Sequence, residues 1–310
     1  MRNPDFVAIS DEQYLAIQKH ARAALEKAGC WGVLPTQIDE VMRAAKVVVS
    51  SEDALSPTFL DKIRYSAGKA RAVLKSALSK ILGVFDAGAR IAYIDRAVIA
   101  VRQAYLKLHE AGHAILPWQR DVYQAFEDCE STLSPECSEA FDHEANAFAS
   151  EVMFQVERFT DEAAGHDFGI GVPLKLSKTY GGSIYATVRR YVSTHHRNCS
   201  VLVLNPTEMI SGDGFKAELR RVVSSQTFLA KFGNLAWPAQ FTPDHEIGKL
   251  IPLGKRKMSG KNTIGLTDLN GLRHECLVEA FKTNYQTFIL IVDVKAMTSA
   301  TFFSSPVLAH

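Results

Sequence analysis

Two histidines stand four residues apart in His109-Glu110-Ala111-Gly112-His113, with a carboxylate beside the first. On an α-helix, positions i and i+4 share a face, so both imidazoles can meet one Zn²⁺ ion while Glu110 acts on water at the metal's open position. The chemistry this spacing points to is metal-assisted hydrolysis of a peptide bond. A second constellation lies downstream in Phe141-Asp142-His143-Glu144-Ala145-Asn146, where Asp142 and Asn146 again share a helical face. Three protein ligands and one open position is the usual catalytic zinc arrangement, which makes Asp142 the expected third ligand of one Zn²⁺ per chain. Asn146, one turn on, is placed to hydrogen-bond a ligand imidazole and fix its tautomer. Glu144 is the rival ligand. It lies about 200° around the helix from Asp142, so the two cannot face one metal. Tyr105, Tyr123 and His143 are all candidates to stabilise the oxyanion, and spacing does not choose among them.

These side chains need two packed helices. Ala100, Ala104, Leu108, Ala111 and Ile115 recur at helical spacing, and Pro117 follows closely enough to end the helix. Phe141, Ala145, Phe148 and Val152 mark the inner face of a second helix, expected to run antiparallel to the first and favouring Asp142 as the residue turned to the metal. Just upstream, Ile81 to Phe85 and Arg90 to Ile94 flank Asp86-Ala87-Gly88-Ala89, a hairpin signal that places the second strand near the site. Two readings of it stand. An exposed edge there can pair with an extended substrate segment, or the hairpin is a core element with both edges covered. The polar stretch from Glu127 to Ser138 reads as a loop over the site. In it Cys137 is either a packed small residue or an inhibitory fourth ligand that excludes water.

With these motifs in hand, the chain resembles the ImmA/IrrE metallopeptidases. The resemblance rests on Leu108 to Leu116, on His143 to Gln155, and on the hairpin before the zinc helix, and it continues weakly through Leu174 to Tyr191. That family usually carries Glu where this chain has Asp142, which shortens the ligand arm by one methylene. The resemblance implies a gluzincin-like zinc endopeptidase that cleaves a helix-turn-helix transcriptional repressor to switch on DNA-damage, prophage or anti-phage defence genes. It also implies a sensor domain of the kind some relatives carry, similar to GAF or PAS domains.

The remainder of the chain bounds these expectations. Its 310 residues, 47% of them hydrophobic, suffice for two domains with real cores. A net charge of +1 provides no global field for nucleic acid or acidic lipid. The opening Met1-Arg2-Asn3-Pro4-Asp5 has no apolar signal core, no run approaches a membrane span, and five scattered cysteines argue against a disulfide framework. A cytoplasmic location is expected, with no membrane partner. The fold class is α+β: a mainly helical, zincin-like core with a small hairpin over residues 1–165, a helix-turn-helix-like connector over 166–199, and an α+β sensor over 200–310.

Within the first region, two helices are expected between Asp11 and Ala45, around a turn at Gly29 to Pro35. A third, over Ser56 to Lys80, carries six cations and no acid on its outer face after Asp61. In the connector, Gly181-Gly182 joins two short helices, and Arg189 and Arg190 give the second a basic side. In the last region the strands are Val201 to Leu204, Phe215 to Val223, His274 to Phe281 and Thr287 to Val294. Lys249, Lys255, Arg256, Lys257 and Lys261 form an acid-free stretch, a candidate contact for single-stranded nucleic acid with Phe232, Trp237 and Phe241 either stacking on bases or sitting in the core. A solvated loop is the other reading. The competing function is a DNA-binding or ligand-sensing regulator whose metal site is inactive or structural.

Overall fold

Ser10 opens the first helix, α1 (Asp11–Lys27), through a capping box. Its hydroxyl accepts from the Gln13 amide at 3.2 Å while the Gln13 side chain accepts from the Ser10 amide. In this computed structural model the described residues are 9–50, 83–86, 89–94, 99–127, 135–210 and 214–295. The chain forms two units: residues up to Glu162 with Lys175–Thr187, and Ala163–Leu174 with Val188 onward. The expected third helix and its basic face fall outside the described residues.

The first unit is built around α3 (Ala100–Ile115) and α5 (Pro135–Met153), with α2 (Ile38–Ala44) against α3 and α1 against α5. Tyr14, Ile17, Ala21, Ala24 and Leu25 recur every three or four residues, and these are the residues α1 buries. Between α3 and α5 comes α4 (Pro117–Glu127). Leu116 is extended (ψ 115°), and Pro117 begins the new helix at the position where its missing N–H costs nothing. Two short helices, α6 (Glu157–Ala164) and α7 (Gly171–Tyr180), follow α5, and α8 (Ile184–Ser193) is capped by the Ser183 hydroxyl, which accepts from the Ala186 amide.

The contact that sets the site is the crossing of α3 and α5. A Cβ on Gly112 would lie 3.2 Å from the Ala145 Cα and 3.2 Å from the Phe148 ring, so the helices meet at backbone distance with Ala111, Ala145 and Ala149 fully buried around the crossing. The end of α5 is clamped separately. Gln155, fully buried and at positive φ, donates to the Cys30 and Val33 carbonyls at 2.9 Å and accepts from the Gly32 amide at 2.7 Å, tying the α1–α2 turn to the helix end.

The hairpin is present as β2 (Gly83–Asp86) and β3 (Ile91–Ile94), paired antiparallel and packed on α3. Its second strand is not an edge. Two residues, β1 (Val48–Val49), pair parallel to the other side of β3 and make it the central strand. A two-residue strand leaves no periodicity to read, which is why the sequence did not reveal it. The edges of this small sheet are therefore β1 and β2, and β3 is covered on both sides. The stretch expected as a loop over the site is also corrected at both ends: α4 runs to Glu127 and α5 begins at Pro135, so Cys137 is in the first turn of a helix.

The second unit is organised on one antiparallel sheet. Its order is β5 (Glu208–Ile210), β6 (Gly214–Ser224), β4 (Cys199–Leu204), β10 (Thr287–Asp293), β9 (Arg273–Lys282) and β8 (Asn262–Thr267), with β7 (Gln240–Phe241) paired to β6. The two central strands, β4 and β10, are buried at every residue and so are covered on both faces. On one face Leu202, Leu204, Val278 and Ile289 pack with Phe228 and Phe232 of α9 (Gln226–Phe232). On the other, the Glu279 carboxylate of β9 accepts from the Ile170 amide at 2.7 Å. The architecture is mixed helix and sheet, and no helix among the described residues is long and apolar enough to cross a membrane.

Because the α3–α5 crossing leaves no room for a side chain, Gly112→Val should destabilise the protein by about 1–3 kcal/mol, the usual cost of overpacking. It should also force Asp142 away from the two histidines and weaken any metal binding that the three share. Gly112→Ala, whose methyl needs only a few tenths of an ångström, should lie between. Thermal denaturation with a zinc titration measures both, and a valine variant equal to wild type in each would refute the close-crossing account.

Candidate metal centre

His109 and His113 lie one turn apart on α3, and their rings meet edge to face with Nε2 atoms 3.1 Å apart. The Asp142 Oδ1 reaches them from α5, at 3.8 Å from His109 Nε2 and 3.6 Å from His113 Nε2. Donors bound to zinc at its usual bond lengths in a tetrahedron are separated by roughly 3.3 Å, and the three measured edges bracket that value. Glu110 adds a carboxylate from α3 itself. One ligand atom each from His109, Glu110 and His113 lies within 4.8 Å of the others, a group that can hold a metal ion. Glu110 is nearly inaccessible, whereas the Asp142 side chain is 43% exposed, so the site opens to solvent on the Asp142 side.

Electrostatics prepare the histidines as ligands. Burial, and for His109 the neighbouring imidazole, lowers their pKa values to about 3 and about 4, so both are neutral across the physiological range and available to a cation. Glu110 moves the other way. Burial, reinforced by the charge of Asp142, raises its carboxyl to about 8. Burial also raises Asp142 above the ordinary carboxylate range.

The neighbours of the two rings differ. His113 Nδ1 is 2.8 Å from the Gln119 Oε1, and the Gln119 Nε2 donates to the Phe141 carbonyl at 3.1 Å and to the Glu144 carboxylate at 2.7 Å. His109 Nδ1, by contrast, is buried without a hydrogen-bond partner. Asn146 favours the charged form of the His109 ring, but its Oδ1 accepts from the Tyr105 hydroxyl at 3.3 Å.

Other residues singled out by sequence fall elsewhere. Glu144 is buried beneath the site, where it accepts from Gln13, Trp118 and Gln119, and it does not face the imidazole pair. Cys137, fixed in α5, is about 7.5 Å along the axis and about 140° around from Asp142, and it lacks the loop freedom that an inhibitory ligand requires. The Tyr105 hydroxyl is engaged with the Asn146 carbonyl at 2.9 Å, and His143 is exposed with Nε2 3.8 Å from Glu139. The Tyr123 side chain lies outside the described residues. Gln119 and Trp118 were missed by sequence reasoning. Their only signal is position, immediately after the proline that restarts the helix.

In the second unit Lys255, Arg256 and Lys257 are exposed, and Lys249 and Arg256 line a cleft of about 420 Å³ with Ser259 and Asn262. The stacking aromatics expected beside them are core residues. Phe232 and Phe241 are buried and Trp237 packs against the same cluster. Arg190 is also buried, so the basic side expected on α8 loses one of its two cations.

The raised Glu110 pKa has a testable consequence. The folded chain keeps this proton to about pH 8 whereas the unfolded chain loses it near 4.5, so between these values the unfolded state binds fewer protons and stability falls as pH rises. The two histidines act at the other end: below 6.5 the unfolded chain takes up protons that the folded chain refuses until about pH 4 and about pH 3. In metal-free protein, Glu110→Gln should raise the thermal midpoint at pH 8 and change it little at pH 4. Equal effects at the two pH values would show that Glu110 is not the buried proton-holding group.

No protein-family model matches this chain, and a comparison with curated proteins found no match. Among solved structures it is similar to a Mycobacterium tuberculosis transcriptional regulator, with a TM-score of 0.51 and 14% sequence identity over 94% of this chain and 80% of that one. At this identity the likeness speaks for the fold alone.

Proposed function

We propose that this chain is a zinc-dependent endopeptidase acting on a protein substrate. The observation that carries the reading is the convergence of His109, His113 and Asp142 at zinc-ligand separations with the buried Glu110 carboxylate beside them. His109, His113 and Asp142 would hold the ion. When bound, Zn²⁺ supplies Lewis acidity toward a scissile carbonyl and toward water. Glu110 takes the proton from the attacking water on its carboxylate and passes it to the leaving amine. In the metal-free chain burial and Asp142 hold this carboxyl protonated to about pH 8, and a cation held by His109, His113 and Asp142 would draw it back toward the ionised form that a general base needs. The opening at Asp142 gives the peptide its approach.

The substrate in this reading is a helix-turn-helix transcriptional repressor, and the second unit is a sensor similar to GAF or PAS domains. The ImmA/IrrE resemblance supports both, as it supports a role in stress or phage-defence control. Glu110→Gln should retain about one zinc per chain yet abolish cleavage, whereas His113→Ala and Asp142→Ala should lose the metal. Metal analysis of the purified variants, with mass spectrometry of a co-expressed neighbouring repressor, measures both. Cleavage by metal-replete Glu110→Gln would sink the mechanism.

A second reading is a ligand-sensing or DNA-binding regulator with a structural metal site. The structural neighbour is named a transcriptional regulator, and the exposed Lys255, Arg256 and Lys257 beside a cationic cleft offer a polyanion contact. Binding of single-stranded oligonucleotide there should weaken steeply with salt and should drop when the three residues become alanine. Fluorescence anisotropy at two salt concentrations reads this. Salt-independent or absent binding removes the polyanion, and the core placement of Phe232 and Phe241 leaves Trp237, partly buried at the edge of the same cluster, as the stacking candidate of the three.

A further inference from the structure

The Glu144 carboxylate, the Gln119 amide and the His113 ring form a continuous hydrogen-bonded chain on the side of the imidazole remote from Asp142. We infer that Gln119 and Glu144 are positioning residues that lock His113 as its Nδ1–H tautomer and so turn the Nε2 lone pair toward the metal. The inference rests on reading His113 as a metal ligand and is independent of whether the protein cuts peptides.

The direction of the chain follows from which atoms can only give and which can only take. The Phe141 carbonyl has no hydrogen, so the Gln119 atom 3.1 Å from it is the NH₂ group; the same group donates to Glu144 at 2.7 Å. That leaves Oε1 facing His113 at 2.8 Å. An amide oxygen can only accept, so the proton between them belongs to His113 Nδ1. With Nδ1 protonated in a neutral ring, Nε2 carries the lone pair, and Nε2 is the atom 3.6 Å from Asp142 Oδ1 and 3.1 Å from His109 Nε2.

Glu144 is held in its turn. It accepts from Trp118 Nε1 at 2.6 Å and from Gln13 Nε2 at 3.1 Å, while the Gln13 Oε1 takes the Ser10 amide at the start of α1. Gln119 is fully buried and Glu144 is 4% exposed, so no water competes for either group. The chain therefore runs from the first helix cap to the metal ligand, with every amide orientation set by a partner that has one possible role.

The test uses the full-length metal-free protein with ¹⁵N-labelled histidine, reading the His113 tautomer from its ring nitrogen shifts, together with zinc affinity by competition against a chromogenic chelator. Wild type should show Nδ1–H. Gln119→Met keeps the shape of the side chain and removes both roles of the amide. It should give a mixed tautomer and weaken zinc about ten- to a hundredfold, the usual scale for such supporting partners. Glu144→Gln, which still permits the Phe141 bond, should shift part of the population, and Trp118→Phe, which removes one donor to Glu144 and keeps an aromatic ring against His20, should leave the tautomer fixed. An Nε2–H tautomer in wild type overturns the inference even if every variant fails to fold. An unchanged tautomer in folded Gln119→Met also overturns it. A tautomer fixed in wild type and lost in Gln119→Met supports the relay even where zinc does not bind, and that failure would fall on the metal reading instead.

Discussion

Everything at the candidate centre depends on how near α5 can come to α3. The two imidazoles are fixed to each other by one turn of a single helix, but the third donor belongs to another helix and has only an aspartate's reach. Gly112 and Ala145 meet without side chains between them, and Asp142, three residues before Ala145, arrives within 4 Å of both Nε2 atoms. A longer glutamate arm, which the ImmA/IrrE resemblance leads one to expect here, tolerates a wider crossing. The aspartate does not, so the glycine inside the histidine motif and the alanine after Glu144 are as much part of the ligand set as the carboxylate.

Fixing one helix against another at that distance requires more than small residues, and α5 is anchored along its length by buried polar groups. Glu144 meets Gln13, Trp118 and Gln119; Glu151 meets Tyr14 and Gln18; Gln155 clamps the turn after α1. Buried carboxylates and amides are costly when unsatisfied, so each of these groups specifies one rotation and one height of α5 relative to α1. A purely apolar interface of the same area would allow sliding. Glu144 and Glu151, two turns apart on the α1-facing side of α5, explain why polar residues occupy positions that sequence patterning alone would give to leucine, and Gln155 adds its clamp just past the helix end.

What the sequence made legible was what repeats or what has a chemical signature. The histidine pair, Asp142, the two main helices, the hairpin and the four long strands of the second unit all carry period or spacing. Most of the features that escaped it lack both, although β8 is as long as β4 and was hidden by the basic stretch that runs into it. Strand β1 is two residues long, and Gln119 is one glutamine among many until the fold places it against His113. The fate of Cys137 turned on a helix boundary, the least certain thing to read locally. The aromatics near the basic stretch were read by their neighbours in sequence, whereas their actual neighbours are strands distant in the chain, so burial decided Phe232 and Phe241 against stacking.

The two ligand imidazoles are not equivalent, and the difference has a direction. His113 has its second nitrogen engaged by Gln119, while His109 Nδ1 is buried without a hydrogen-bond partner among the described residues. The nearest relief is Asn146, whose side chain already favours the charged form of the His109 ring but is shared with Tyr105. Because the Tyr105 hydroxyl also donates to the Asn146 backbone carbonyl at 2.9 Å, it can release the amide oxygen without being left unsatisfied. The Asn146 amide oxygen can only accept, so it is a hydrogen-bond acceptor for a His109 Nδ1–H, the tautomer that leaves the Nε2 lone pair open.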